Sequence, residues 1–282
     1  MSVFRHPEDR VPVALIATAF AADVAVWWFA STWWLPVAWF ALMTIPKGWI
    51  SAWNHHHQHA ATFRPTWANR LLELVYGFQT GVTSHTWFLH HVVGHHVHYL
   101  DQTRDESRWQ RADGSTMGET EYSLITAITA YPRAWAVGRK YPKARRIFVR
   151  MGLLQLALLA GLVALRPWNA LWVFALPMAT SLYLTAWATY FHHVGRSTED
   201  HNQASYNILH PLYNRMTGNL GYHTAHHSQH GLHWSRLPVL HQELARDIPA
   251  DCYRQPGIPF VWFGSEEKLV LSDDEIERIA AG

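Results

Sequence analysis

Imidazole dominates the chemistry open to this sequence, which holds 21 histidines, most of them in four clusters. The first, Asn54-His55-His56-His57-Gln58-His59, sets His55 and His59 four residues apart, on one face of any helix that carries them. In the second, His90-His91-Val92-Val93-Gly94-His95-His96-Val97-His98, His91 and His95 are again one turn apart, with His96 alongside. His192-His193 is the third. The fourth, His223-Thr224-Ala225-His226-His227, pairs His223 with both His226 and His227. A neutral imidazole is a good ligand for iron, zinc, copper and nickel, and helical pairs present two nitrogens to one ion. A single zinc site needs only three or four ligands, so this many spaced histidines suit two metal ions. The Glu-x-x-His of carboxylate di-iron bundles and the His-Glu-x-x-His of zinc proteases are both absent. The lone cysteine, Cys252, excludes an internal disulfide framework, a Cys-rich zinc module and a thiolate-held iron–sulfur cluster.

The segments that must position these histidines are apolar. Hydrophobic residues make up 49% of the 282 and charged residues only 16%, against roughly a quarter charged in soluble proteins. Crossing a bilayer takes roughly 20 mostly apolar residues in a helix. Four stretches qualify: about 11–30, 33–53, 147–165 and 168–191, the last without a single charge. They form two hairpins, joined by Ser31-Thr32 and by Arg166-Pro167. The reading is therefore an all-α membrane protein: four transmembrane helices as two hairpins, with a histidine-rich helical cap, 54–146 and 192–282, holding a dinuclear metal site. Residues 1–282 are read as a single membrane-embedded domain.

Twelve Lys or Arg lie between His55 and Arg150, whereas the two short turns offer only Arg166. The positive-inside rule then places both termini, the cap and every histidine on the cytoplasmic side. Segments 68–81 and 121–137 are mixed helices, suited either to the membrane surface or to ordinary packing in the cap. Ser272 caps a short acidic helix near the end of the chain. Asp23 interrupts the first apolar run, with Thr18 or Thr44 as bonding partners within reach, and receives no role. A net charge of +2 gives no reason to expect nucleic acid as a partner.

The ordered set His55-x3-His59, His91-x3-His95-His96 and His223-x2-His226-His227, placed around two helix pairs over residues 11–241, resembles the integral-membrane fatty acid desaturase and hydroxylase superfamily. Gly218-Asn219-Leu220-Gly221-Tyr222-His223, continuing through Leu232-His233-Trp234-Ser235-Arg236-Leu237-Pro238, is similar to bacterial acyl desaturases. His91-Val92-Val93-Gly94-His95-His96 and Tyr190-Phe191-His192-His193-Val194-Gly195 look instead like the alkane monooxygenases, although Val194 stands where that branch has tyrosine. The first box of that branch reads His-Glu-x-x-His, and the His-His-His-Gln-His of this chain departs from it, which tilts the reading towards desaturase.

The resemblance implies two iron ions held by His55, His59, His91, His95, His96, His223, His226 and His227, plus His193 or, as the alternative, His192. No catalytic side chain beyond the metal centre and no further cofactor site is implied. Asp101, Asp105, Glu106 and Asp200 lie near enough in sequence to accept a hydrogen bond from the N–H of a ligand ring. The implied reaction is O2-dependent desaturation of a fatty acyl chain linked to lipid, CoA or a carrier, with hydroxylation of an alkane, fatty acid or related lipid as the alternative. The chain has no dinucleotide fingerprint, haem-attachment motif or ferredoxin-type cysteine set. Electrons are thus expected from a separate ferredoxin or rubredoxin with its reductase, and the expected location is a bacterial inner membrane. The basic run Arg139–Arg150 suits either a docking carrier or anionic lipid.

Overall fold

The structure, a computed structural model, describes residues 2–257, 259 and 260, so the helix expected after Ser272 lies outside the described residues. In chain order the α-helices are α1 (Arg10–Phe29), α2 (Trp34–His59), α3 (Thr66–Thr80), α4 (Glu119–Val137), α5 (Pro142–Leu165), α6 (Pro167–Ala170), α7 (Leu176–His193), α8 (Pro211–Thr217), α9 (His223–Ser228) and α10 (Leu237–Leu244). Two π-helical turns, Phe88–Val92 and Leu171–Ala175, complete the larger elements, and the latter joins α6 to α7. Among the described residues there is no β-strand, only isolated bridges such as Phe4 with Phe63. The chain divides into two compact units, Met1–Val93 with Ser123–Ala186, and Gly94–Tyr122 with Trp187–Gly282; the boundaries fall inside α4 and α7.

Three helical stretches are long and apolar enough to cross a membrane: Pro7–Phe29, Pro142–Leu165 and Pro167–His193. Their outward faces are greasy. Val11, Leu15, Leu153, Leu156 and Leu165 are exposed, and along α5 only Phe148 and Gln155 are buried. Contiguous exposed apolar surface on this scale marks a helix whose solvent is lipid. At about 1.5 Å per residue the 26 residues of α2 also exceed the hydrocarbon thickness. Lys47 and the polar turns from Asn54 onwards make it less apolar than the other three. Neither proline nor glycine follows Gly48 in α2, so the helix carries straight on through His59.

The first unit is held around two apolar clusters. Trp27, Phe78, Ala170, Val173 and Phe174 form one, and Ile16, Ile50, Leu72 and Tyr76 the other. The hairpin turns are tied together by hydrogen bonds, two of them to carbonyls that the end of α1 leaves unsatisfied. Asn169 Nδ2 donates to the Trp27 and Ala30 carbonyls at 2.9 and 3.0 Å, and Trp168 Nε1 donates to the Trp33 carbonyl at 2.9 Å.

Asp23 takes a partner that its sequence neighbourhood did not suggest. Lys47 Nζ lies 3.0 Å from its Oδ2, and Trp39 Nε1 donates to its Oδ1 at 2.8 Å. The same ammonium reaches the Val173 carbonyl in the π-helical turn at 3.1 Å, and both charged side chains are fully buried. Thr18 and Thr44 instead donate to Ala14 and Phe40, the carbonyls four residues back in their own helices. That back-bonding is what a threonine in a helix does when no better acceptor is near. One ion pair thus links α1, α2 and the turn before α7.

Removing one member of a buried pair leaves the other charge uncompensated, at a cost of about 3–5 kcal/mol. Asp23→Ala and Lys47→Ala are each expected to lower the thermal midpoint in detergent sharply, while Asp23→Leu with Lys47→Met recovers most of the loss. A single variant as stable as an exposed substitution would contradict this arrangement.

Candidate metal centre

Each unit gathers histidines of its own. In the first, the last turns of α2 bring His55 and His59 together with ring centroids 4.8 Å apart, and the π-helical turn adds His91 at 4.5 Å from His55 and 5.4 Å from His59. Their ligand nitrogens all fall within 4.8 Å of one another. The intervening residues hold the frame. Gln58 Oε1 accepts from the Phe88 amide at 3.2 Å, and Asn54 Nδ2 donates to Thr80 Oγ1 and the Val82 carbonyl, at 3.0 and 3.1 Å. Trp87 stacks on His91 with 5.3 Å between centroids.

His57 looks away from this group, as its place on the helix requires. Its Nδ1 meets Thr62 Oγ1 at 2.9 Å, and its Nε2 donates to Glu73 Oε1 at 3.4 Å. Glu73 also accepts from Arg70 and Ser84. Burial alone would raise the Glu73 pKa, but the His57 hydrogen bond and charge, then Ser84 and Arg70, outweigh it and hold the carboxyl at about 2. A pKa depressed in the fold means that this carboxylate stabilises the native state above the ordinary value, and that the contribution fades as pH falls towards about 2. Sequence spacing gave no sign of this network.

In the second unit, His193 at the end of α7 is the hub. Its Nε2 lies 3.0 Å from His223 Nε2, 3.1 Å from His227 Nε2 and 3.3 Å from His95 Nε2. His96 and His226 bring their Nε2 atoms to 3.1 Å. The second nitrogens decide where the ring protons are. His193 Nδ1 lies 3.1 Å from the Ala204 carbonyl and His95 Nδ1 lies 2.8 Å from Asp105 Oδ1. A carbonyl and a carboxylate accept only, so both Nδ1 atoms donate; burial pushes the His193 pKa well below its ordinary value, so that ring is neutral and its Nε2 presents a lone pair to the other three. Burial, followed by the neighbouring imidazoles His192 and His227, pushes the His223 pKa well below its ordinary value and keeps that ring neutral too.

Lone pairs face one another this closely around a cation. Two nitrogens each about 2.1 Å from one ion stand about 3.0 Å apart at a right angle and about 3.4 Å apart at the tetrahedral angle. The three separations at His193 fall in that interval. Neutral imidazole is moreover the form that binds metal. The residues fit a metal ion.

His192 is arranged differently. Its Nδ1 donates to the Tyr206 carbonyl at 2.9 Å, so its Nε2 accepts from the Tyr213 hydroxyl, also at 2.9 Å, while its ring stacks on His223 at 4.1 Å. Both nitrogens are thus engaged with protein.

The short helix α9 is placed by two asparagines that no motif singled out. Asn207 accepts from the Thr224 amide at 3.0 Å and donates to its hydroxyl at 2.8 Å. Asn214 accepts from the Gly221 amide at 3.0 Å and donates to the Ile208 carbonyl at 2.9 Å. A Cβ on Gly221 would stand 2.0 Å from that carbonyl, so only glycine lets the chain pass here on its way to His223. Of the acidic residues near the boxes, Asp105 is bonded to a box histidine and is itself fixed by the Ser107 amide at 2.7 Å. Asp101 turns instead to Thr103, and Asp200 to Asn202 and Gln203.

The described residues thus combine helices apolar enough to cross a bilayer with buried imidazole clusters that could hold metal. The sequence model of one family, fatty acid desaturase, matches residues 11–257 of the 282. The chain belongs to the fatty acid desaturase family. No curated protein matches it.

Because Asp105 fixes the tautomer and aim of His95, Asp105→Asn is expected to weaken metal binding by about 10–100-fold while the protein stays folded. Titration against a chromophoric chelator reads this directly, and an unchanged affinity would remove Asp105 from the account.

Proposed function

We propose that the protein is a di-iron, O2-dependent desaturase of fatty acyl chains in a bacterial inner membrane. Membership of the family gives the coarse activity, oxidation of a lipid acyl group. The observation that carries the finer reading is the convergence of the His95, His193, His223 and His227 Nε2 atoms, with the Nδ1 atoms of His95 and His193 donating outward to Asp105 and the Ala204 carbonyl. The proposed ligands of the two irons are His55, His59, His91, His95, His96, His193, His223, His226 and His227. His192 is assigned a supporting place through Tyr206, Tyr213 and its stack on His223.

Bound iron, supplied with O2 and two electrons, provides the oxidising power to take hydrogen from an unactivated C–H bond, which side-chain acids and bases lack. The balance is –CH2–CH2– + O2 + 2 e⁻ + 2 H⁺ → –CH=CH– + 2 H2O. The protein's own part is orientation. Asp105 and the Ala204 carbonyl hold His95 and His193 in the tautomer that aims Nε2 inward, and Asn207 sets the start of α9 through Thr224. The two electrons come from a separate ferredoxin or rubredoxin with its reductase, since the chain carries no redox cofactor motif. In this reading α2 is a fourth span, with its Lys47 charge met by Asp23 inside the protein, and the histidines and both termini face the cytoplasm.

A hydroxylase is the second reading. It is favoured by His193, which Tyr190 and Gly195 align with the alkane-monooxygenase segment and whose Nε2 faces the other imidazoles.

The deciding experiment supplies the iron-loaded protein with an acyl lipid, a reduced carrier and 18O2. An alkene free of 18O is expected. An alcohol carrying the label would replace the desaturase with the hydroxylase, and neither product would remove both readings.

A further inference from the structure

No acidic residue occurs between Glu121 and Glu199, a stretch that takes in most of α4 and all of α5. Basic residues crowd where the two helices meet. Arg139, Lys140, Lys143, Arg146 and Arg150 are all exposed, and among the described residues none of the five forms an ion pair. The charge sits at the mouth of a candidate membrane span, since α5 starts at Pro142.

The helix before it is inverted. Leu124, Ile125, Ile128 and Trp135 of α4 are 47%, 37%, 74% and 42% exposed, and their spacing puts them along one side. Ala130 and Ala134 lie buried on the other side, and Tyr131 donates to the Gly81 carbonyl at 2.7 Å. A helix that turns its larger apolar side chains outward needs an apolar medium there.

The two features are physically joined. The Arg145 guanidinium lies over the Trp135 ring, 3.5 Å from its centroid, so the apolar side of α4 leads directly into the basic run. Gly138 allows the helices to approach so closely: a Cβ at that position would stand 3.0 Å from Arg145 Cβ and 3.1 Å from the Ala134 carbonyl. The elbow is therefore a compact surface of exposed aliphatic and aromatic side chains followed by unopposed cations.

We propose that this α4–α5 elbow binds the phosphate headgroups of anionic phospholipids, with the outer side of α4 seated among the upper acyl segments. The proposal rests on the reading of α5 as a membrane span and is independent of the metal chemistry. An acidic protein carrier matches the cations but leaves Leu124, Ile128 and Trp135 in water. An anionic lipid surface satisfies both. Each lysine or arginine near such a surface adds attraction that falls off with salt.

The test uses the full chain in nanodiscs of phosphatidylcholine with a minority of phosphatidylglycerol, reading displacement of a labelled phosphatidylglycerol. The fivefold variant Arg139→Gln/Lys140→Gln/Lys143→Gln/Arg146→Gln/Arg150→Gln is expected to weaken binding at least about tenfold and to lose its salt dependence. Its thermal midpoint in pure phosphatidylcholine should stay unchanged, and Arg→Lys replacements at Arg139, Arg146 and Arg150 should retain most binding. Lys143→Gln and Arg146→Gln, made singly, give graded losses if the fivefold variant does not fold. A wild-type protein without preference for phosphatidylglycerol overturns the proposal. So does a fivefold variant that keeps the preference, including one whose only defect is slower reduction by an acidic carrier protein. Product formation is measured separately, so failure here leaves the desaturase reading standing.

Discussion

Two ring protons govern what the buried histidines of the second unit can do. One sits on His95 Nδ1, which donates a hydrogen bond to Asp105, and the other on His193 Nδ1, which donates to the Ala204 carbonyl. Everything else at this site follows from that choice. With these two protons turned outward, the His193 Nε2 lone pair faces the Nε2 atoms of His223, His227 and His95 at 3.0–3.3 Å. Lone pairs so close and so well buried repel unless a cation lies among them, and the low pKa of His223 removes protonation as an easy remedy there. The arrangement is the one that the proposed ligand set requires.

That set survives because the surrounding backbone is over-determined. His193 arrives on a long helix, while His223, His226 and His227 arrive on a helix of only six residues, too short to hold itself in place. Asn207 and Asn214 supply what the short helix lacks by clamping its start and the turn before it. In the first unit, the ion pair of Asp23 with Lys47 and the packing of α2 on α3 steady the helix whose end carries His55 and His59. Apolar contact and one buried ion pair hold the long helices, while hydrogen-bonded polar side chains hold the histidine clusters in place.

Much of the architecture was legible in the sequence, because apolar runs of span length and histidines at helical spacing are periodic signals. The helical fold, the continuation of α2 through His59 and the presence of helices α3 and α4 follow from such patterns. α5 begins at Pro142, earlier than the apolar run suggested, since its first turns are basic and apolarity does not report them. Pairings distant in sequence were beyond reach. Nothing near Asp23 names Lys47, and Thr18 and Thr44 were nearer in sequence but are occupied by their own helices. The preference for His193 over His192 as a proposed ligand rests on Tyr206, Tyr213 and Ala204, whose positions no motif encodes. Asn207 and Asn214 act from irregular backbone, where hydrogen bonds leave no period to read.

The central claim is that the histidine clusters are metal ligands and that His193, not His192, is among them. Iron content with X-ray absorption on the reconstituted protein and on the two alanine variants tests it most directly. The account predicts two irons per wild-type chain in a shell of nitrogen at about 2.1 Å without sulfur. His192→Ala should keep both ions and His193→Ala should lose iron. A wild-type chain that holds a single zinc and works without iron, or a His193→Ala variant that retains both ions, would contradict it.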